Sequence, residues 1–158
     1  MIKDFLIIGP FNAVIYKEFF PYIKDGVISL GYGRVGEFIG MTGCANGMWF
    51  TSLYREDPGF LLLKKTYDDS YREYDHFRAI NVDRTEDIPA DYTGPVGVPI
   101  TFLEKWDKRQ FEIVDARDYR KDDRFKNMEV MTLTGFDGRP GEIDGQRKYA
   151  RILIRKRR

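Results

Sequence analysis

Residues 88–114 read IPADYTGPVGVPITFLEKWDKRQFEIV, and the structure assigned to this stretch decides how the rest of the chain can be arranged. Gly94-Pro95 and Gly97-Val98-Pro99 combine glycine's backbone freedom with proline's fixed φ, which predicts a shaped connector holding its neighbours in register. Thr101 then precedes an amphipathic turn, Phe102-Leu103-Glu104-Lys105-Trp106. Gln110-Phe111-Glu112-Ile113-Val114 alternates polar and apolar residues as a half-buried strand does. On residue chemistry alone, the stretch is a packed loop, a helical turn and a strand.

Working outward, the 158 residues fit one domain, and 42% hydrophobic with 15% aromatic content is enough to bury a core. A formal charge of +1 excludes a strongly basic nucleic-acid binder and an acidic DNA mimic as properties of the whole chain. The charge is unevenly placed, however: residues 117–158 carry a net +6 and residues 1–116 a net −5. One cysteine, Cys44, rules out an internal disulfide, and with one histidine, His76, leaves too few soft ligands for zinc. No metal site is expected. The apolar run after Met1-Ile2-Lys3 is too short for a signal peptide or a membrane span, so a cytoplasmic protein with no membrane contact is expected.

Taken in order, Phe5-Leu6-Ile7-Ile8-Gly9 predicts a strand covered on both faces in an α/β sheet. Asn12 is placed to cap a helix from Ala13 with Val14, Ile15, Phe19, Phe20 and Ile23 on its apolar side, shortened or kinked by Pro21. Val27-Ile28-Ser29-Leu30 resumes a strand, giving a strand–helix–strand unit with an expected right-handed crossover. Gly31-Tyr32-Gly33-Arg34-Val35-Gly36 has dinucleotide-fingerprint spacing with Asp57 downstream. The helix that the fingerprint needs is undercut by Gly40, Gly43 and Gly47, so residues 31–47 read as a long loop. Residues 48–54 are strand-like. Tyr67, Tyr71 and Tyr74 have roughly helical spacing, and the acidic residues around them favour an amphipathic surface over a base-stacking platform. Residues 77–82 predict another strand, and Asp83, Glu86 and Asp87 a solvated turn.

Beyond the central stretch, residues 115–127 read as a charge-dense linker, residues 128–134 as a strand, and Asp137-Gly138 and Asp144-Gly145 as turns. Residues 148–155 form a return strand. In it Ala150, Ile152 and Ile154 face one way, and Tyr149, Arg151, Leu153 and Arg155 the other, so one face packs and the other is basic. Arg147, Lys148, Arg151, Arg155, Lys156 and Arg157 are therefore candidate contacts to the phosphates of duplex DNA; a solubilising edge strand with a basic tail is the alternative.

The central stretch, with FLIIGPFNAVIYKEFFPYIKDGVISLGY before it, MWFTSL and AINVDRTEDIP between, and KYARILIRKR at the end, resembles the EcoRI-type adenine-specific DNA methyltransferases. The likeness runs in order through nearly all 158 residues and corresponds to the later part of such an enzyme. The resemblance implies an α/β (α+β) fold: the trailing strands of a methyltransferase-like sheet in residues 1–54, then a β-rich recognition region in residues 55–158. It also implies that the catalytic (Asn/Asp)-Pro-Pro-(Tyr/Phe) motif and the S-adenosylmethionine loop belong upstream of FLIIG. The chain contains no Asn-Pro-Pro or Asp-Pro-Pro, so the resemblance implies no catalytic residue within it. By the same likeness Trp49 or Phe50 is placed to stack on a flipped adenine, though adjacent strand residues face opposite sides and only one can do so. Pro10 stands where asparagine is expected after FLIIG, and Ser52 where WFTNL is usual.

The expected function is that of a truncated DNA adenine methyltransferase-like protein from a restriction-modification system, phage or mobile element. It is a DNA-recognition half with no cofactor of its own, using S-adenosylmethionine only with a separately encoded N-terminal half. The alternative is a protein-binding module that inhibits a nuclease or a restriction-modification component. Unpaired sheet edges would favour a homodimer in either case.

Overall fold

The computed structural model describes residues 4–36, 46–53, 58–122, 141–148 and 150–158, and the chain divides into two compact units, Met1–Asp57 and Pro58–Arg158. Both are built on small sheets with few and short helices, the mixed α/β class expected. Among the described residues no helix is long and apolar enough to cross a membrane.

The first unit is a three-stranded sheet in the order β1-β3-β2, with β1 at Leu6–Pro10, β2 at Ser29–Val35 and β3 at Gly47–Thr51. β3 runs antiparallel to both neighbours, so β1 and β2 are parallel to each other with β3 inserted between them. Phe11, Val14, Phe20, Ile23, Ile28, Leu30, Met48 and Phe50 form the core, with Phe19 edge-on to Phe50 at 4.9 Å. Thr51 is buried and satisfied: its hydroxyl donates to the Phe5 carbonyl (2.8 Å) and accepts from the Leu53 amide (3.0 Å). Ser52 uses its own hydroxyl to accept the Phe5 amide (3.0 Å), which fixes the entry to β1.

Three expectations for this unit need correction. β1 is not covered on both faces: Leu6, Ile7 and Ile8 are 55%, 49% and 37% exposed, and among the described residues β1 lies at the edge of its sheet with nothing packed over these side chains. The single Asn12-capped helix is instead a 3-10 turn at Phe11–Ile15 and a five-residue helix α1 at Phe20–Lys24. Pro21 lacks an amide hydrogen and fits only the first turn of a helix, so the chain restarts there rather than continuing. Residues 31–35 are strand, not loop. A register shift between Leu30 and Arg34, with Gly33 at φ +72°, absorbs the glycines while β2 stays paired to β3. The remainder of the expected loop, residues 37–45, lies outside the described residues.

The second unit is a four-stranded sheet in the order β4-β5-β9-β6: β4 at Ile80–Asn81, β5 at Val96–Pro99, β6 at Phe111–Ile113 and β9 at Arg151–Lys156. β4 and β5 are parallel, and the other pairs antiparallel. A two-residue hairpin, β7 at Glu142–Ile143 and β8 at Gln146–Arg147, turns through Asp144 (φ 51°) and Gly145 (φ 73°). Both φ values are positive, as an Asp-Gly turn of the primed type requires. The expected strand at residues 128–134 and the Asp137-Gly138 turn lie outside the described residues.

Gly97-Val98-Pro99 belongs to β5, a central strand, rather than to a connector. Pairing on both sides outweighs the turn tendency of its glycine and prolines. β9 is also central and packed on both faces: Ile152 and Ile154 are fully buried on one, and Leu153 is 2% exposed on the other. Leu153 joins Tyr74, Phe77, Ala79, Ala116 and Ile143 in a second apolar cluster, so neither the basic face nor the solubilising edge describes β9. Tyr67, Tyr71 and Tyr74 lie outside any helix: Tyr74 is core, and Tyr67 stacks with Tyr71 (5.7 Å) and Tyr92 (4.8 Å).

Candidate nucleic-acid interface

The six basic residues singled out from the sequence fall into two groups, one at each end of β9. Arg151 and Arg155 are four residues apart, about 13 Å at the strand rise of ~3.3 Å per residue. At the first end, the Arg151 side chain is only 12% exposed; it donates to Asp83 (2.7 Å) and to Asn81 Oδ1 (3.3 Å). Lys148 lies 3.5 Å from the same Asp83 carboxylate, and Arg147 is exposed, 3.7 Å from Glu142. At the other end, Arg155 binds Glu112 (2.6 Å) and the Tyr119 hydroxyl (3.2 Å), and Lys156 donates to the Ala90 carbonyl. Arg157 and Arg158 are exposed, with the Arg157 backbone held by the Gln110 carbonyl (2.8 Å). Sheet pairing thus aligns the basic residues, but much of their charge is directed at carboxylates.

The first group borders an open cleft of about 650 Å³, lined by Lys64, Lys65, Tyr71, Asn81, Asp83, Asp87 and Lys148 among others. Its floor is a fixed network. The buried Tyr74 hydroxyl donates to Asn81 Oδ1 (2.7 Å), Asn81 Nδ2 donates to Asp83 (3.1 Å), and Arg151 reaches both. Burial works against ionisation of Asp83, but hydrogen bonds from Asn81 and Arg151 and the charges of Lys148 and Arg151 outweigh it and hold the carboxyl below its usual range. Burial pushes the Tyr74 phenol up, so it stays a neutral donor. On the rim, Lys65 pairs with Asp87 at 2.8 Å, and that hydrogen bond raises the lysine's pKa. The cleft offers alternating cations and carboxylates around a rigid amide, a surface suited to hydrogen-bonding polar groups rather than to chemistry on them.

Sequence reasoning places Asp83 in a solvated turn, and residues 85–87 do form a 3-10 turn. Asp83 itself is the hub of the cleft. Its partners lie 65 and 68 residues away, and only the β4-β5-β9 pairing brings them together.

Of the two aromatic candidates in β3, Phe50 is core, opposite Ile7 and Leu30. Trp49, opposite Ile8, is half-buried on the other face, with Gly31 so close that an added Cβ would come within 2.6 Å of the Trp49 Cβ. Gly31 and Gly33 sit in a paired strand, not at a turn opening a helix, so the glycine spacing there does not form a dinucleotide-type phosphate turn. Among the described residues there is no group of acidic, histidine or cysteine side chains able to hold a metal.

A family model described as adenine-specific methyltransferase EcoRI matches residues 34–157. The chain belongs to this methyltransferase family. Among curated relatives, the type II methyltransferase M.EcoRI of Escherichia coli is 36% identical over 182 residues, spanning 99% of this chain and 51% of that protein. M.MgeORF184P of Mycoplasma genitalium is 30% identical over 98% of this chain and 57% of its own length, and M.MpnI of Mycoplasma pneumoniae is 28% identical with the same coverage. The chain therefore spans about half the length of the curated relatives it matches. No solved structure matches it significantly.

Proposed function

We propose that this chain is the DNA-recognition part of an adenine-specific methyltransferase of a restriction-modification system, working in the cytoplasm and unable to transfer a methyl group by itself. The observation that carries this is the family match over residues 34–157 in a chain spanning only half of its relatives and containing no Asn-Pro-Pro or Asp-Pro-Pro. Methyl transfer to adenine N6 needs acceptors for the exocyclic amine, a pocket for the flipped base and a bound methyl donor. The complementary half would supply the acceptors and S-adenosylmethionine.

In this role the exposed ends of the basic row, Arg147 on one side and Arg157 with Arg158 on the other, meet DNA phosphates, while Arg151 keeps the cleft floor in shape. Phosphate contacts of this kind position the protein without reading sequence. Trp49, and not the core residue Phe50, is left to stack on a flipped adenine.

The test is fluorescence anisotropy of a labelled duplex with the purified chain at roughly 50 and 200 mM salt, since each phosphate contact releases counterions and steepens the salt dependence. Replacing Arg157 and Arg158 by alanine spares β9 and should flatten the slope by about one for each phosphate no longer neutralised. Absence of binding at the lower salt would overturn the proposal, as would methyl transfer by the isolated chain.

A further inference from the structure

Leu62 is 79% exposed and Phe60 66%, more than any other large apolar side chain among the described residues. Both lie in residues 60–65, FLLLKK, where exposure alternates: Phe60, Leu62 and Lys64 are exposed, while Leu61 and Leu63 are half-buried. The backbone beneath them is pinned on either side of Leu62. Gln110 brackets Leu61, accepting its amide (2.7 Å) and donating to its carbonyl (2.8 Å). The Lys65 carbonyl accepts the Ala90 amide (2.8 Å), and the Lys65 ammonium pairs with Asp87 (2.8 Å). Leu62 thus stands between two tethers as a fixed apolar prong.

Its surroundings are cationic. The Arg109 guanidinium lies over the Phe60 ring, 5.3 Å from its centroid, and the carboxylate that holds it there, Asp107, is fully buried. Lys64 follows on the same exposed side as Leu62. Gln110, which grips Leu61 with its side chain, accepts the Arg157 amide at its backbone carbonyl (2.8 Å), so one residue joins the prong to the exposed pair Arg157 and Arg158. An apolar tip framed by cations suits a side chain that enters a base stack: phosphates on either side supply the counter-charge, and the aliphatic group takes the place of a stacking neighbour. An apolar protein surface in the same position would strip water from Lys64 and Arg109 without pairing them.

The geometry points to Leu62 as a wedge that enters a base step of the duplex whose phosphates Arg157 and Arg158 contact, with Phe60 and Arg109 bracing it. This rests on the proposed DNA-recognition role and adds to it. Phosphate contacts set the position of the protein, whereas the wedge favours duplexes that unstack easily. Leu62 carries no charge, so its share of the affinity does not depend on salt. Gln110 is a positioning residue: by fixing Leu61 it keeps Leu62 presented, and insertion then orders nothing that was free before.

The probes are a labelled duplex, fully paired, and the same duplex with one central mismatch. Each is titrated with the full chain by anisotropy at low and raised salt, and a dye pair on the duplex ends follows bending by energy transfer. A mismatch lowers the cost of unstacking, so the wild-type chain should bind that duplex about tenfold more tightly. Leu62→Ala should lose most of this preference and much of the bend, with the salt slope unchanged. Leu62→Met keeps an apolar side chain of similar volume and should retain both. A side chain so exposed adds little to folding, and thermal melts of the two variants should match wild type. Equal affinity of the wild-type chain for the two duplexes would overturn the inference and leave the DNA-recognition role in place, as would a preference that survives Leu62→Ala. Absence of binding to either duplex would remove both. The competing occupant is tested by titrating the unmatched half of Escherichia coli M.EcoRI, prepared as a separate polypeptide. If Leu62→Ala weakens that association and leaves the mismatch preference intact, the prong belongs to a protein interface and the inference falls.

Discussion

Gly97 lies directly against the hydroxyl end of Tyr74: a Cβ built on Gly97 would overlap the phenol oxygen and ring. Tyr74 is fully buried and cannot retreat without giving up its bond to Asn81. Gly97→Ala should therefore destabilise the chain by about 1–3 kcal/mol through overpacking. Urea unfolding measures it; a loss below ~0.5 kcal/mol would mean that the ring moves freely.

The buried Asp107 accepts the Arg109 amide (2.8 Å) and its Nε (2.9 Å) and Nη2 (2.5 Å). The Arg109 hydrogen bond holds the carboxyl below its usual range. A carboxyl depressed in the folded state contributes stability above its unfolded pKa and loses it as pH falls through the folded value. Asp107→Asn should cost roughly 1–3 kcal/mol at neutral pH. The gap to wild type should close as the pH falls below the usual carboxylate range, and thermal melts across pH 2–7, scaled about the reference aspartate pKa, would show it. A gap independent of pH would show that the carboxyl's charge is not what Arg109 holds.

Asp75 accepts the amides of Asp144 (3.0 Å) and Gly145 (2.8 Å), tying the turn of the β7–β8 hairpin to the segment before β4. Gly145→Ala places a side chain at φ 73° and should cost about 1 kcal/mol. Asp75→Ala frees the turn amides, and hydrogen exchange at residues 144–147 should rise several-fold with little change in β5 or β9. Uniform acceleration across the unit would contradict so local a role.

Gln110 imitates a strand partner, accepting the Leu61 amide (2.7 Å) and donating to the Leu61 carbonyl (2.8 Å). Gln110→Ala removes both bonds, and limited proteolysis should cut residues 58–63 markedly faster. Gln110→Glu keeps the acceptor but sets a carboxylate against a carbonyl, so it should behave like the alanine variant. Unchanged cleavage in both would show that other contacts hold the segment.

Arg151 holds Asn81 and Asp83 together from a nearly buried position, while Asp83 is more than half exposed. Arg151→Ala should cost about 1 kcal/mol, discounted for solvent screening at Asp83. It should also weaken any duplex binding through loss of cleft shape, leaving the salt slope nearly unchanged. A slope reduced by about one would instead mean that Arg151 itself touches a phosphate.

The strands β3, β6 and β9 and the Asp144-Gly145 turn are legible in the sequence because alternation, aromatic content and turn residues are local signals. Family membership is legible because the likeness extends along the whole chain. β5 is not, since Gly97 and Pro99 carry the marks of a turn; Gly97 is needed only because Tyr74, far away in sequence, packs on it. The place of β9 is hidden for the same reason. Its charged residues suggest an open face, yet Arg151 and Arg155 reach carboxylates near β4 and on β6 while Leu153 fills the core between them. β1 reads as buried because an apolar run reports what a strand is suited to, not which neighbours are present.

β9, the last of the described strands, sits between β5 and β6 and supplies hydrogen bonds to both. The second unit therefore has no stable sheet to form while it is being synthesised, since β5 and β6 are not paired with each other. Their apolar residues must wait, exposed, until residues 151–156 leave the ribosome, and long-range pairing of this kind is slow. Loss of residues 151–156 would remove the strand that β5 and β6 share, taking the sheet apart at its centre rather than trimming its edge.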